Sequence, residues 1–292
     1  ILRHNGMNPR YKTKRMLVSV LRLTRPWNLF IIALAQYFTA VLLVDRSTIF
    51  DWKLFLMSAS TVLIAAGGYI INDYYDIKID LINKPERVVI GKNVTRRYAI
   101  LLHSAFSILG VFLGLIVHWK IAMVNFASVF LLWWYSNDLK RQPFIGNVVV
   151  ALLTGVSIMI IDAIYKTGNI LIVIYACFAF FMTLIREIIK DIEDLKGDNT
   201  FGCRTLPIVW GTRKTKFVIY LILAAFCATV LTLNLIYVNL PLHYFLVFLF
   251  IPLLLMLYRL IRADTKKDFS WLSGFCKIII LLGIFSMAFI IS

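Results

Sequence analysis

Acidic residues are scarce in this chain: 15 Asp and Glu stand against 31 Lys and Arg in 292 residues, and only 16% of positions are charged. Cysteine is scarcer still. Cys177, Cys203, Cys227 and Cys276 show no CxxC spacing, and three of them lie in apolar stretches, where a thiol behaves as a small hydrophobe. Neither a disulfide framework nor a zinc site is expected. The four histidines (His4, His103, His118, His243) are equally scattered and read as interfacial side chains. What the chain lacks in charge it carries as apolar residues, 61% of the total, against about 45–50% in soluble domains. A basic, aromatic-rich chain raises nucleic acid as a partner, but this hydropathy argues against it. The net charge of +16 is better read as basic loops held at the cytoplasmic face of a membrane.

A spanning helix needs about 20 mostly apolar residues. Nine candidates fall near 27–44, 53–71, 98–117, 120–135, 146–163, 170–185, 217–236, 241–262 and 271–291. Runs such as FLVFLFIPLLLML do not alternate as a spanning strand must, so the fold is expected to be all-α and polytopic, with nine helices in one bundle. With the N-terminus inside, 26 of the 31 Lys and Arg fall on inner segments and four (Arg46, Lys53, Lys120, Lys166) on outer ones, while Lys277 falls within the last span. That bias sets the orientation of an inner- or plasma-membrane protein.

The first 25 residues hold seven Lys and Arg, followed by a full-length span rather than a short apolar core with a cleavage site. Residues 1–26 therefore read as a basic cytoplasmic arm, and 27–292 as one membrane domain with a cytoplasm-facing polar cavity. The chain opens on Ile, which points to a truncated or processed start, with Met7 as a candidate first residue.

The few acids are not scattered. Asp73, Asp76 and Asp80 follow the second span; Asp191, Asp194 and Asp198 follow the sixth, each 118 residues after its counterpart. Four helices separate the sets, so both face the same side, and the shared spacing hints at an internal repeat of about four helices. If the helices run on unbroken, Asn72, Asp76 and Asp80 share one stripe, as do Glu187, Asp191, Asp194 and Asp198. Like charges at that spacing repel. A divalent cation removes the conflict, and Mg²⁺ commonly shares its shell between carboxylates and substrate phosphates. Lys84, Arg87, Arg186, Lys190 and Arg204 lie close by in sequence and suit phosphate oxygens. A plain alternative is a solvated, salt-bridged helix end, with Glu187 paired to Lys190 and Asp191 near Arg186. A third inner segment places Tyr135, Lys140 and Arg141 between the fourth and fifth spans. In RPWNLF at the head of the first span, Arg25 and Trp27 read as interface anchors, and Asn28 as a polar group that needs a partner in the hydrocarbon.

NDYYDIKID followed by KDIEDLKGD resembles the paired motifs of the UbiA superfamily of intramembrane prenyltransferases, and the resemblance covers essentially the whole chain. It implies nine helices and Mg²⁺-dependent transfer of an isoprenyl group from a prenyl diphosphate to a membrane-associated acceptor. By that analogy Asn72, Asp73, Asp76, Asp80, Asp191, Asp194 and Asp198 form the metal set, with Asp76, Asp80, Asp194 and Asp198 as the catalytic carboxylates. Asn28, Arg87, Tyr135, Lys140, Arg141, Lys190 and Arg204 would contact substrate, Tyr135 with Lys140 resembling the family's YxxxxK-like segment. Many members carry NRPxRPIPxG after the first motif; NKPERVVIGK here lacks both prolines of RPIP, which predicts a different loop shape. NDYYDIKIDLINKP resembles most closely the digeranylgeranylglycerylphosphate synthase-like and chlorophyll-synthase-like members, so geranylgeranylglyceryl phosphate is the favoured acceptor. A quinone precursor such as 4-hydroxybenzoate or dihydroxynaphthoate is the alternative. Outside this class stand an ion-coupled transporter, since intramembrane acids also form ion pathways, and a silent lipid-binding scaffold.

Overall fold

The computed structural model describes residues 9–238 and 246–290, with side chains over 16–237 and 247–290. Arg3, His4, Met7 and His243 lie outside the described residues, as do the start of the expected eighth span and the last residue of the ninth. Apart from one bridge between Ile90 and Val94, the regular structure among the described residues is helical. The helices are α1 (Pro9–Thr24), α2 (Pro26–Leu43), α3 (Trp52–Tyr75), α4 (Ile77–Asn83), α5 (Arg96–Val117), α6 (Trp119–Asn137), α7 (Ile145–Tyr165) and α8 (Ile170–Glu193). They continue with α9 (Leu195–Thr200), α10 (Leu206–Leu233), α11 (Ile251–Arg262) and α12 (Lys266–Ile290).

Among the described residues seven helices are long and apolar enough to cross a membrane: α2, α3, α5, α7, α8, α10 and α12. They coincide with seven of the nine expected spans. The expected fourth span is α6, a 19-residue helix whose Asn125, Ser128, Ser136 and Asn137 dilute its apolar character. α11 is 12 residues long and follows a π-helical turn over Leu246–Phe250. The sequence supplies the helix ends. Asp51 and Asn169 cap α3 and α8 by accepting from the backbone N–H groups of Lys53 and Leu171, while Pro26 and Pro207 open α2 and α10. α10 breaks at Gly211, whose φ of 77° lies in the left-handed region, so Leu206–Trp210 forms a separate first turn.

The expected unbroken stripes do not form. α3 ends at Tyr75 and α4 starts at Ile77; Asp76 between them has φ −90° and ψ 2°. α8 ends at Glu193 and α9 starts at Leu195, with Asp194 at φ −95° and ψ 5°. Each acidic motif is therefore a bent elbow in which one aspartate closes one helix and opens the next. The two elbows are the same object repeated: α3 and α8 are both 24 residues long and offset by the 118 residues that separate the motifs.

α8 is the central element and packs on α7, α10 and α12. Met182, Ile185, Ile188 and Phe226 are fully buried around it. On the other side α3, α5 and α6 meet closely: a methyl group on Gly110 would lie 2.6 Å from Ile64, and Asn125 donates across the seam to Ser60 Oγ at 3.1 Å and to the Gly110 carbonyl at 3.2 Å. Small residues and a side-chain amide are what bring helix backbones together where lipid offers no hydrophobic drive. The basic arm contributes α1, docked through buried Leu23 onto a cluster with Ile70, Val89, Ile90, Val94 and Ala99. The loop after the first motif is thus anchored by Val89, Ile90 and Val94.

The two elbows are clasped. Asn83, at the end of α4, is buried and donates Nδ2 to the Asp194 carbonyl at 2.9 Å, while its Oδ1 accepts from the Gly197 N–H at 2.9 Å. A Cβ on Gly197 would fall 2.5–2.6 Å from the Asn83 amide. Gly→Ala inside an exposed helix stabilises by roughly 1 kcal/mol; here overpacking of about 1–3 kcal/mol opposes it. Gly197→Ala is therefore expected to lower the thermal unfolding midpoint in detergent, and an unchanged or raised midpoint would show that the clasp is not tight.

Candidate active site

The elbows face one cavity of about 680 Å³, open at one end of the bundle. Its wall includes Asn72, Asp73, Asp76 and Asp80 from the first motif and Asp191, Asp194 and Asp198 from the second. Asn28, Arg87, Tyr135, Lys140 and Lys190 also line it. Arg141 and Arg204 do not: both are exposed outside the wall, joined by a backbone bond from the Arg204 N–H to the Arg141 carbonyl at 2.7 Å.

Position along each elbow fixes how an aspartate is held. The first member of each set is tied to the head of a neighbouring helix. Arg25 reaches Asp73 at 2.5 Å and lies over the Tyr69 ring at 4.9 Å; Asn147 of α7 donates to Asp191 at 2.8 Å. Arg25 is therefore a cavity residue and not the interface anchor expected of it. It sits at φ 52°, ψ 63°, a left-handed conformation uncommon outside glycine. The middle member is paired with a lysine from a different segment of the chain. Lys140 lies 2.6 Å from Asp76 Oδ1 and 3.2 Å from Asn72 Oδ1, and the Asn72 amide donates to Asp76 Oδ2 at 2.9 Å. Lys84 lies 2.8 Å from both Asp194 oxygens and 3.4 Å from Glu193.

The third members, Asp80 and Asp198, have no side-chain partner among the described residues. Burial, then the adjacent Asp76 and Asp73, pushes Asp80 up to about 7. Burial, then Asp194 and Asp76, pushes Asp198 up to about 7 as well, against the opposing pull of Lys140 and Lys84. Two carboxyls crowded by like charge are what a cation would relieve. The plain salt-bridge alternative holds for part of the second elbow only: Glu187 pairs with Lys190 at 2.9 Å and with Arg186 at 2.5 Å, while Asp191 turns to Asn147.

Among the described residues no three His, Cys, Asp or Glu side chains converge into a ready metal cage. The donor set is nonetheless all oxygen and lines one cavity. That suits a hard cation held by one or two carboxylates and completed by phosphate oxygens better than a closed protein site. Asp76, Asp80, Asp194 and Asp198, with Asn72, supply oxygen donors to this cavity.

Four contributors escaped the sequence reading of the site: Arg25, Asn83, Asn147 and Lys277. Asn147 carried the signal used for Asn28, a lone amide entering an apolar helix. Lys277 carried another, a charge within a span. For Asn83 no sequence signal existed, because its partners lie more than 110 residues away.

Residues 29–284 match the model of the UbiA prenyltransferase family. The chain is 30% identical over 271 residues to a digeranylgeranylglyceryl phosphate synthase of Methanosphaera stadtmanae, covering 92% of this chain and 97% of that one. It is 37% identical over 247 residues to the enzyme of the same name from Sulfolobus acidocaldarius, covering 78% and 83%. Among solved structures, a digeranylgeranylglyceryl phosphate synthase superposes with a TM-score of 0.71 at 25% identity, over 94% of this chain and 99% of that one. A UbiA homolog from Archaeoglobus fulgidus bound to GPP and Mg²⁺ gives 0.65 at 18% identity, over 92% and 99%. With the family model matched over residues 29–284, the chain belongs to the UbiA prenyltransferase family.

Proposed function

We propose that this cavity transfers an isoprenyl group from a prenyl diphosphate to the free hydroxyl of geranylgeranylglyceryl phosphate. The observation that carries the reading is the convergence of both acidic elbows, with Lys84, Lys140, Arg87 and Lys190, on one cavity within a membrane bundle. The names of the relatives support the acceptor.

Each group has a role that follows from its surroundings. Arg87, Lys190, Lys140 and Lys84 offer donors to the diphosphate oxygens, and such charge-assisted bonds strengthen as the leaving group gathers charge. Asp76 and Asp194 hold Lys140 and Lys84 in place. Mg²⁺, when bound, would neutralise further charge on the departing diphosphate. Arg25 and Asn147 fix the first aspartate of each elbow, so the carboxylates beyond them are aimed rather than free to rotate. The allylic C–O bond breaks with its electron pair going to the diphosphate, the acceptor hydroxyl oxygen closes the new ether bond at the same carbon, and the hydroxyl proton passes to the released diphosphate. Aromatic rings of the wall, Tyr135 and Trp27 among them, supply faces that favour positive charge.

We read the basic loops as facing the cytoplasm and the cavity with them, and we count α6 and α11 with the seven longer helices as nine spans. Single cysteines replacing exposed Lys92 and Lys166, in right-side-out vesicles, test this against the parent protein. An impermeant maleimide is expected to label position 166 and spare 92, and the reverse pattern would invert the topology.

The activity test uses labelled geranylgeranyl diphosphate with purified, lipid-reconstituted protein in Mg²⁺ or EDTA. The acceptors are geranylgeranylglyceryl phosphate, 4-hydroxybenzoate and dihydroxynaphthoate. An EDTA-sensitive product with the first alone is expected, and a product with an aromatic acceptor alone would overturn the assignment. Asp76→Asn and Asp194→Asn should each lower kcat/KM roughly 10²-fold or more while the protein still elutes as a folded species. Retained activity in both would remove these carboxylates from the mechanism.

A further inference from the structure

The cavity is chemically two-sided. The α3–α4 and α8–α9 elbows bring carboxylates. α12 brings none: it contributes Ser270, Ser273, Gly274 and Lys277, four positions on one stripe of the helix. A Cβ on Gly274 would meet nothing within 4 Å, so the stripe faces open space. Lys277 is partly buried, and among the described residues it has neither an acid within ion-pair distance nor a hydrogen-bond partner. A lysine inside a spanning helix is costly to keep and needs an anion to balance it.

The adjoining α8 strengthens the same side. Arg186 and Lys190 line the cavity, and their shared acid, Glu187, is a single carboxylate divided between two cations. The buried Arg186 Nε has no hydrogen-bond partner among the described residues. The other acid on this stretch of α8, Asp191, is engaged by Asn147. This side therefore carries surplus positive charge, spare N–H donors and a buried serine, with no free oxygen ligand for a metal.

A metal-bridged diphosphate belongs on the carboxylate side, where the cation finds its ligands. A second anion in the same cavity would be repelled by that diphosphate and needs cations of its own. We infer that Lys277, with Arg186 and Ser273, binds the phosphate monoester of the lipid acceptor. This rests on the prenyl-transfer reading above and names the group that selects the acceptor. A phosphate monoester carries up to two charges and three terminal oxygens, enough for an ammonium, a guanidinium fork and a hydroxyl at once. An aromatic carboxylate carries one charge and two oxygens and would leave donors unmatched.

The test is steady-state kinetics in reconstituted membranes with geranylgeranyl diphosphate, Mg²⁺ and either geranylgeranylglyceryl phosphate or its phosphate-free alcohol. Lys277→Met should raise the KM for the phosphorylated acceptor roughly 10- to 100-fold, as expected for a lost charged hydrogen bond. The KM for the diphosphate should stay within about twofold, which also reports that the variant is folded, and Lys277→Arg should recover most of the loss. The alcohol should be used equally poorly by parent and variant. An unchanged acceptor KM in Lys277→Met, with the parent active, overturns this inference and leaves prenyl transfer standing. A parent that uses only aromatic acceptors overturns both. Should the variant not fold, glycerol phosphate serves as an inhibitor of the parent: competition against the acceptor supports the site, and competition against the diphosphate alone rejects it.

Discussion

The site depends on one buried contact, the amide of Asn83 between the two acidic elbows. It bonds to the Asp194 carbonyl and to the Gly197 N–H, both within the second elbow. Both are backbone groups, so the clasp fixes main chain to main chain rather than one mobile side chain to another. Lys84 follows directly and reaches Asp194, so the segment that closes the clasp also delivers a cation to the carboxylate beside it. Lys266, at the start of α12, donates to the Asn83 carbonyl at 2.6 Å and thereby sets the axial position of the stripe that ends in Lys277. Three segments at this end of the cavity are registered through one residue.

Charge in this chain is placed by the same economy. Burying an isolated ion costs several kcal/mol even after relaxation, and most of the charges in the cavity are answered. The pairing is graded: aspartates nearest the bundle are tied to helix heads, those at the bends are matched by lysines, and those farthest along carry no protein partner. Such a gradient holds the framework rigid while leaving the outermost oxygens for a cation and its phosphates. Lys216 shows the structural use of the same chemistry away from the site. Its ammonium reaches the carbonyls of Ile261 and Ala263 at the end of α11, where a cation satisfies the last unpaired carbonyls of a helix.

The repeat of elbow and helix explains why two motifs serve one cavity. Two copies of one bent unit meet across α4 and α9. The copies have diverged where they hold the first aspartate: Arg25 does it in one half and Asn147 in the other. One half thus keeps a charge pair at its rim, while the other keeps a neutral amide beside the basic side of the cavity.

Much of this was legible in the residues. Apolar runs gave an all-helical membrane protein, because a backbone in lipid must satisfy its own hydrogen bonds. The spacing of six rare aspartates pointed to the cavity that all six line, because acids persist in such a chain only with a reason. The bends were not legible: Asp76 and Asp194 fit an unbroken helix as well as an elbow, and the choice is made by what packs beyond them. Nor could the sequence separate Lys84 and Lys140, which enter the cavity, from Arg141 and Arg204, which stay outside, since all four are basic residues in inner loops. Periodicity and composition act locally and are written along the chain. Which cation meets which carboxylate, and which wall of the cavity is left free of acid, depends on contacts between segments distant along the chain, 48 residues apart for Arg25 and Asp73 and 110 for Lys84 and Asp194, and those exist only once the bundle has closed.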